Sequence, residues 1–280
     1  MRRACAPTDT SDVVTRRRAR VHDEPAYVLH HHAWSESSAI LEVFSRHHGR
    51  VVLVGKGVKR PTSQYRAVLL PLLPLRLDWS GEAEVRTLKA AQYAGGQVLP
   101  TGEALLAGYY LNELLLRLLM RDDPHPALFD HYAAAVAALP WPEQRAVALR
   151  AFELLLLRTL GWLPDLGQEG VRLLPLQPNH GYRLHPDAGL LPAADIDTAA
   201  LRGGHWQRLQ RALQAADAWS ALLRCADVLT QPALRQGLAA LLHYHSGMTR
   251  FRTHALLLAV RRLAAPGRSS APAASSDTLS

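Results

Sequence analysis

The hydrophobic periodicity of this chain changes at Gly95-Gly96, and this change limits the folds that are open to it. Before the two glycines, apolar residues come in short runs that are separated by turn residues. After them, leucines recur at three- and four-residue spacing, which is the pattern of amphipathic helices. The sequence therefore predicts an α+β protein in which a β-sheet domain precedes a mainly α-helical domain.

The first domain is predicted to be a small β-barrel. Its strand-like runs are rich in Val, Leu, Ile and aromatic residues, and turns such as His48-Gly49 and Ser80-Gly81 separate them. Closure suits so small a sheet because a closed barrel leaves no strand edge exposed. We expect an OB-fold, with an SH3-like barrel as the alternative. The predicted strands are Tyr27–His32, Ala39–Ser45, Arg50–Gly55, Val68–Trp79 and Val85–Leu88.

The second domain is predicted to consist of helices. Thr101 is a candidate N-cap for the first helix, which Pro124 would end, and Pro142 suits the first turn of the third. Residues 162–197 are irregular and leave room only for short strands, such as Arg172–Leu176 or Tyr182–Leu184. The other predicted helices are Pro126–Leu139, Pro142–Gly161, His205–Ala216, Ala218–Leu229, Pro232–Tyr244 and Thr249–Leu263.

These patterns predict four segments. Residues 1–25 form an N-terminal extension, 26–95 the barrel, 96–264 the helical domain with its irregular insert at 162–197, and 265–280 a tail. The extension opens with arginines but has no apolar stretch after them, so it does not resemble a secretory signal. We expect the extension and the Ala-, Ser- and Pro-rich tail to be disordered.

Composition narrows the class of protein further. The only two cysteines, Cys5 and Cys225, cannot build a disulfide framework or a cysteine-rich zinc module. Arginines interrupt the leucine runs, so no membrane span is expected, and a cytoplasmic location follows. The formal net charge of +8 comes almost entirely from arginine, which suits a nucleic-acid partner but also follows from a GC-rich genome. Composition alone leaves that choice open.

One segment concentrates the positive charge. Residues 46–66 carry six Lys and Arg side chains and no Asp or Glu. They flank the third predicted strand and fill the loop after it, and Tyr65 adds an aromatic ring. We expect these cations to line one edge of the barrel. Positive charge beside an aromatic ring suits single-stranded nucleic acid, because cations neutralise phosphates and a ring stacks on any nucleobase. The alternative is a solvated basic loop with Tyr65 packed in the core.

Motifs for other chemistries are missing from the sequence. Gly55-Lys56-Gly57 lacks the spacing of a phosphate-binding loop, and Val58 stands where Ser or Thr would bind magnesium. Of the three consecutive histidines, at most His30 and His32 share a strand face, which is too few for a zinc site. No sequence motif places a catalytic nucleophile. We therefore expect no metal, no cofactor and no enzymatic activity.

Several strings, in order along the chain, resemble the bacterial RecO family of recombination mediators. They include Phe44–Arg50, Val54–Arg60 and Gly108–Leu115, the last of which is similar to a family helix of pattern YxNELL. The resemblance is close over residues 26–165 and looser after them. The further matching strings are Ala26–His30, Trp34–Ser38, Leu70–Leu75, Leu128–Tyr132 and Arg150–Glu153.

The resemblance implies a DNA repair function. It implies an N-terminal OB-fold, a helical C-terminal domain, binding of single- and double-stranded DNA, annealing of complementary strands and a nucleoid-associated location. It also implies help in loading the RecA recombinase with the partner RecR, and docking on the acidic C-terminal tail of the single-strand DNA-binding protein. Two alternatives remain from the residues alone: a metal-dependent phosphodiesterase and a protein-interaction scaffold that does not bind DNA.

Two sets of site residues follow from these arguments. The acidic, aromatic-ended tail of the single-strand DNA-binding protein needs an apolar pocket for its ring and a basic side chain for its carboxylates. The stretch around Phe251 combines an aromatic ring with Arg250 and Arg252. Arg150, beside Phe152, is the second choice for the tail. The expected DNA-binding residues are Arg46, Arg50, Lys56, Lys59, Arg60, Tyr65 and Arg66.

The sequence departs from the family at one place, and this generates a prediction. Many members carry a four-cysteine zinc module after a stretch like Leu160–Leu166, but here Gly167-Gln168-Glu169-Gly170 follows. Because thiolates are missing there, we expect elemental analysis of the purified protein to find no stoichiometric zinc. One zinc per chain that survives dialysis would contradict this and would point to histidines such as His180 and His185.

Overall fold

The computed structural model describes residues 20–193, 197–247, 251–253 and 256, which form a β-barrel followed by a layered helical domain. Within these residues no helix is long and apolar enough to cross a membrane. The barrel contains β1 (Arg20–Ala33), β2 (Ala39–Ser45), β3 (Gly49–Gly55), α1 (Tyr65–Val68), β4 (Leu75–Ser80) and β5 (Val85–Tyr93). The helical domain contains α2 (Gly102–Leu118), α3 (Pro126–Ala138), α4 (Pro142–Thr159), β6 (Gly181–His185), β7 (Gly189–Pro192), β8 (Leu201–Arg202), α5 (Gly203–Gln214), α6 (Ala218–Leu223), α7 (Ala226–Leu229) and α8 (Pro232–Ser246).

The five strands close into a barrel in the order β1-β2-β3-β5-β4. All neighbours are antiparallel except β3 and β5, which run parallel, and α1 lies in the connection from β3 to β4. Alternate residues such as Val28, Val43 and Leu53 fill the barrel interior, as the period of two in a strand requires. This arrangement confirms the predicted OB-fold and the α+β class.

Two predicted boundaries in the barrel were wrong. Strand β1 begins at Arg20, so residues 20–25 belong to the barrel and not to the extension; Glu24 pairs with β4 and its carboxylate accepts the His47 backbone N–H at 2.6 Å. The run Val68–Trp79 is not one strand, because Val68 ends α1 and β4 begins only at Leu75. Of the apolar residues between them, Leu69 and Leu73 pack into the barrel core, whereas Leu72 packs against α2.

The helices start and end close to the predicted positions, with local exceptions. Helix α2 begins after Thr101, and α3, α4 and α8 each begin with a proline in the first turn. The predicted helix Ala218–Leu229 is broken into α6 and α7 around Cys225. Of the two short strands considered in the insert, Tyr182–Leu184 lies within β6, whereas Arg172–Leu176 is not a strand. Residues 1–19, most of Thr249–Leu263 and the predicted tail lie outside the described residues.

The outer face of the barrel continues into the helical core. Tyr27 of β1 and Phe44 of β2 point out of the barrel and pack on Phe129 and Tyr132 of α3, with ring centroids 5.0–6.0 Å apart. All four rings are at least 94% buried. Burial also raises the pKa of Tyr27 to about 12. The barrel therefore keeps its own interior core, while its outer face joins the apolar core of the helical domain instead of meeting it across a wet interface.

A buried amide fixes the register between barrel and helices. Asn112 on α2 donates from Nδ2 to the carbonyl of Leu29 at 2.9 Å, and its Oδ1 accepts the Tyr132 hydroxyl at 2.6 Å. Leu29 lies at a β-bulge in β1, where the ladder to β2 shifts by one residue. Leu29 has no paired residue in the register with β2 or β4, and Asn112 gives its carbonyl a buried hydrogen-bond partner, which a buried carbonyl requires.

Helix α2 also approaches the barrel closely at Gly108. A Cβ at this position would come within 2.3 Å of the Leu72 side chain, which is fully buried in the segment before β4. This contact explains why the apolar run from Val68 to Trp79 leaves the sheet: part of it covers α2.

The residues after α2 return to the barrel. We call Leu119–Asp123 the strap; its Asp122 N–H donates to the Arg50 carbonyl at 2.9 Å at the start of β3. Gly49 has φ +66°, and a Cβ there would lie 2.1 Å from the Asp123 carbonyl oxygen. The turn between β2 and β3 therefore requires glycine both for its conformation and for the space that the strap occupies.

We expect Asn112→Leu to lower the free energy of unfolding by about 2–4 kcal/mol, because the Leu29 carbonyl and the Tyr132 hydroxyl both lose a buried partner. Denaturant titration measures this difference. Tyr132→Phe in the Asn112→Leu background should cost much less than Tyr132→Phe alone, since its hydroxyl is then already unpaired. Additive losses in this double-mutant cycle would contradict the hydrogen-bond chain.

Candidate nucleic-acid interface

The loop between β3 and α1 carries exposed lysine and arginine side chains. Val58 is buried in the barrel and anchors the loop, while Lys56, Lys59 and Arg60 around it are exposed. The Lys59 backbone N–H donates to the Ser37 carbonyl at 2.9 Å, and its Nζ donates to the Ser35 carbonyl at 2.8 Å. The loop is thus held by its backbone, by the Lys59 ammonium and by the buried Val58 side chain, while the Lys56 and Arg60 side chains are exposed.

Tyr65 lies at the edge of a groove beside this loop. Its hydroxyl donates to the Lys89 carbonyl at 3.2 Å, and its half-buried ring packs on the barrel core. The groove has a volume of about 280 Å³, and exposed Arg66 lines it together with Lys59 and His31. The ring is therefore both a packing residue and part of the basic groove, so the two interpretations offered by the sequence coexist.

Arg46 and Arg50 have different surroundings. Arg46 makes a bidentate pair with Asp130 of α3 at 2.9 and 2.8 Å, and these hydrogen bonds lower the pKa of Asp130. Arg50 is only 15% exposed; it pairs with Glu42 at 3.0 Å and donates to the Leu119 carbonyl of the strap. Both guanidinium groups connect the barrel to the helical domain, and phosphate would have to compete with these partners.

Glu42 is the centre of a charge network that local sequence did not reveal. Its two carboxylate oxygens accept from Arg50 and from Arg121 of the strap, the latter at 2.8 Å, and Arg121 also contacts Glu84. Because Glu42 is 92% buried, its charge needs these partners. Arg121 is 79 residues away along the chain, so spacing in the sequence carries no signal for this pairing.

The residues expected to bind the protein tail do not lie together in one groove. Phe251 is 97% buried between Tyr110 and His243, at ring distances of 5.8 and 5.3 Å, so it belongs to the core. Arg252 is exposed and lines a groove between β1 and α2. Arg150 lines another groove, while Arg250 lies outside the described residues.

The groove that contains Arg150 is both apolar and cationic. It lies between α2, α4 and α8 and has a volume of about 450 Å³. Leu106, Leu149 and Pro232 form its apolar walls, and the exposed Arg235 lines it as well. Arg145 also lines the groove but pairs at 3.5 Å with Glu103, an acid in the same lining. Arg150 itself is held at 2.6 Å from the buried carboxylate of Glu153, whose pKa is raised by burial. The Tyr110 hydroxyl donates to the same carboxylate at 2.8 Å.

The insert in the helical domain is held by hydrogen bonds. Leu166 is fully buried and its N–H donates to Gln210 Oε1 at 3.0 Å, while the Glu169 N–H donates to the Leu174 carbonyl at 2.8 Å. In the parts of the chain that the structure describes, no three His, Cys, Asp or Glu side chains converge as metal ligands would. The absence of zinc stays a prediction for elemental analysis.

Comparison with known proteins places these features in a family. Residues 20–96 match the family model for the N-terminal part of recombination protein O, and residues 99–245 match the model for its C-terminal part. The DNA repair protein RecO of Variovorax paradoxus is 54% identical over 247 residues, which cover 85% of this chain and 96% of that protein. The proteins of the same name from Albidiferax ferrireducens and Polaromonas naphthalenivorans are each 51% identical and cover 87% of this chain and 98% of their own length.

Both domain models match in the order of the observed barrel and helices, and their common border falls at the periodicity change near Gly95-Gly96. The predicted family is confirmed: the chain belongs to the RecO family of DNA repair and recombination proteins.

Proposed function

We propose that this protein is a recombination mediator that binds single- and double-stranded DNA at the barrel rim, anneals complementary strands and helps load RecA together with RecR. The observation that carries the DNA site is the exposed set of cations beside Tyr65. We call Lys56, Lys59, Arg60 and Arg66 with Tyr65 the basic rim. Membership of a DNA repair family supports the same assignment.

The mechanism follows from electrostatics. Two DNA strands repel each other through their phosphates, and cations that neutralise phosphates lower this barrier to pairing. Base pairing then supplies the favourable free energy, so the protein needs no covalent step. A Tyr65 ring at the groove edge can stack on bases without regard to sequence, which suits a protein that must handle any strand.

The basic rim is proposed to be smaller than the set expected from the sequence. Arg46 and Arg50 already contact Asp130, Glu42 and the strap, so their main contribution is to hold the domains together. Lys56, Arg60 and Arg66 have no acidic partner within 4 Å among the described residues, and Lys59 donates only to a backbone carbonyl. These four cations are available for phosphate.

A second proposal concerns the acidic tail of the single-strand DNA-binding protein. We place this tail in the groove between α2, α4 and α8, because its apolar walls can receive a ring while the exposed Arg235 faces the acidic groups. Arg145 and Arg150 add positive charge to the groove but already pair with Glu103 and Glu153. Contact with this tail would bring the mediator to DNA that the binding protein already coats. Arg250 and Arg252 remain the alternative site.

We expect replacement of Lys56, Lys59 and Arg60 by alanine to weaken DNA binding without unfolding the protein, because exposed charges contribute little to stability but directly to phosphate affinity. In a filter-binding salt titration, the slope of log affinity against log salt should fall by roughly two units for single-stranded DNA.

The matched control for this variant is the triple replacement of Arg172, Arg202 and Arg224 by alanine. All three are exposed on the helical domain, and their removal lowers the net charge equally. If the slope falls equally in both variants, net charge alone explains the effect. If the slope of the Lys56, Lys59 and Arg60 variant is unchanged, the DNA site does not lie at the basic rim. Turnover of DNA in the presence of magnesium would favour a phosphodiesterase instead.

We expect Arg235→Glu to weaken binding of an acidic, aromatic-ended tail peptide by at least about tenfold in a fluorescence titration, because it places like charge at the groove rim. Affinity for DNA should change little. Arg235 suits this test better than Arg150, whose loss would leave the buried Glu153 without its cation.

Arg224→Glu is the control for charge reversal, since Arg224 is exposed outside this groove. A variant with Arg250 and Arg252 both changed to Glu tests the alternative site. If that variant loses peptide binding while Arg235→Glu retains it, the tail binds on the Arg252 side and the proposed groove is wrong.

A further inference from the structure

A larger groove opens between the barrel and the helical domain beside the basic rim. Its volume is about 640 Å³, and it is bounded by the end of β1, helix α2 and the segment around Arg252. We call it the interdomain groove. Its floor includes Asn112, and Tyr109 of α2 stands at its wall with 36% of its surface exposed.

The three consecutive histidines line this groove together. The ring centroids of His30 and His32 are 4.3 Å apart, and those of His30 and His31 are 6.1 Å apart in a stacked arrangement. The ladder to β2 is regular from His30 to Ala33, so strand alternation holds there and His30 and His32 share a face. His31 lines this groove and also the groove beside Tyr65. Strand β4 pairs with β1 only as far as Ala26, so the histidines lie beyond the closed part of the barrel and are exposed.

The fixed charges in the groove nearly balance. The arginines that face the histidines are Arg50 of β3, Arg117 of α2 and Arg252, and the acids are Glu42 of β2 and Glu113 of α2. Neither acid is free. Glu42 accepts from Arg50 and Arg121, and Glu113 accepts the backbone N–H groups of Arg252 and Thr253 at 2.9 Å.

The charge of the groove therefore depends on the histidines. Three arginines against two glutamates leave a small positive charge while the imidazoles are neutral. Each protonated histidine adds one positive charge, and phosphate groups bind where positive charge is concentrated. Partial desolvation is the main factor that lowers the pKa of His30, and the neighbouring His32 and His31 lower it further. Glu42 acts in the opposite direction.

His31 connects this groove to the basic rim, because its side chain lines both cavities. On its far side lie Lys59, Tyr65 and Arg66, and on its near side lie the other two histidines and Arg117. Single-stranded DNA that passes His31 on leaving the basic rim would meet cations and the Tyr109 ring. The interdomain groove therefore combines positive charge with an aromatic ring, as the basic rim does with Tyr65.

We propose that single-stranded DNA held at the basic rim continues past His31 into the interdomain groove, where protonation of His30, His31 and His32 controls how tightly the phosphates are bound. This inference rests on the proposed DNA-binding function. The direction of the effect follows from linkage: a phosphate stabilises the charged imidazoles, so binding takes up protons and tightens as the pH falls.

The test is a salt titration of oligothymidylate binding at pH 5.5 and pH 7.5, followed by fluorescence anisotropy. For the intact protein we expect the slope of log affinity against log salt to be steeper by about one unit or more at pH 5.5, since each new phosphate contact to a single strand adds about 0.7 and the three neighbouring imidazoles oppose one another's protonation. At about 0.1 M salt the affinity should rise by at least about tenfold. Replacement of all three histidines by glutamine should remove most of this difference.

Two further variants separate the possible outcomes. His180→Gln removes an exposed histidine outside both grooves and should retain the full pH effect. Arg117→Ala should weaken binding several-fold at both pH values, because its charge does not titrate. Thermal unfolding of each variant checks that the fold is intact.

The outcomes distinguish this inference from the function on which it rests. If the intact protein binds no oligothymidylate at either pH, the proposed DNA-binding function fails. If it binds with a slope that the basic-rim variant reduces, but the triple glutamine variant keeps the full pH difference or Arg117→Ala has no effect, then only the path through the interdomain groove is overturned.

Discussion

The contact between the outer face of the barrel and α3 determines how the rest of this molecule is arranged. Tyr27 and Phe44 place their rings against Phe129 and Tyr132, and Asn112 ties the β1 bulge to the same α3 tyrosine. An apolar contact alone would allow sliding, since burial has no direction, whereas a buried amide with two partners specifies one register. The position of α2 beside the end of β1 follows from that register.

The same contact determines which surfaces remain for ligands. Arg46, Arg50 and Arg121 are drawn into ion pairs around the strap, so positive charge near the domain border has a structural role. The loop after β3 lies beyond this border, and its cations are free to meet phosphate. A distribution of this kind separates charges that hold the fold from exposed charges, although Arg46 and Arg50 lie in the same stretch of sequence as Lys56, Lys59 and Arg60.

Local patterns in the sequence were enough for the fold class and for most helix positions. Strand alternation, leucine spacing and first-turn prolines all depend on neighbours a few residues away, which is why Pro126 and Pro142 marked helix starts correctly. The run Val68–Trp79 was predicted as one strand, but its Leu72 packs against a helix that begins at Gly102, and no local pattern shows that contact. For the same reason Arg46 looked like a phosphate ligand although its partner Asp130 is 84 residues away. Exposure of Lys56 and Lys59 could be predicted because they lie in a polar turn segment between two strands, but the groove that His30–His32 line is formed with α2, which lies about 80 residues further along the chain.

The apolar contact between the barrel and the helical domain affects any experiment that uses the barrel as an isolated fragment. Gly95 and Gly96 are exposed, have positive φ and touch nothing that a Cβ would reach, so the chain offers an inviting place to cut between the two halves. A fragment that ends there would carry Tyr27, Leu29 and Phe44 on its surface with no helix to cover them. Such a fragment would tend to self-associate through that face, and a loss of DNA affinity measured on it would report the missing cover and not the basic rim. The OB-fold of this protein has its own interior core, but its outer face needs the helical domain to cover it.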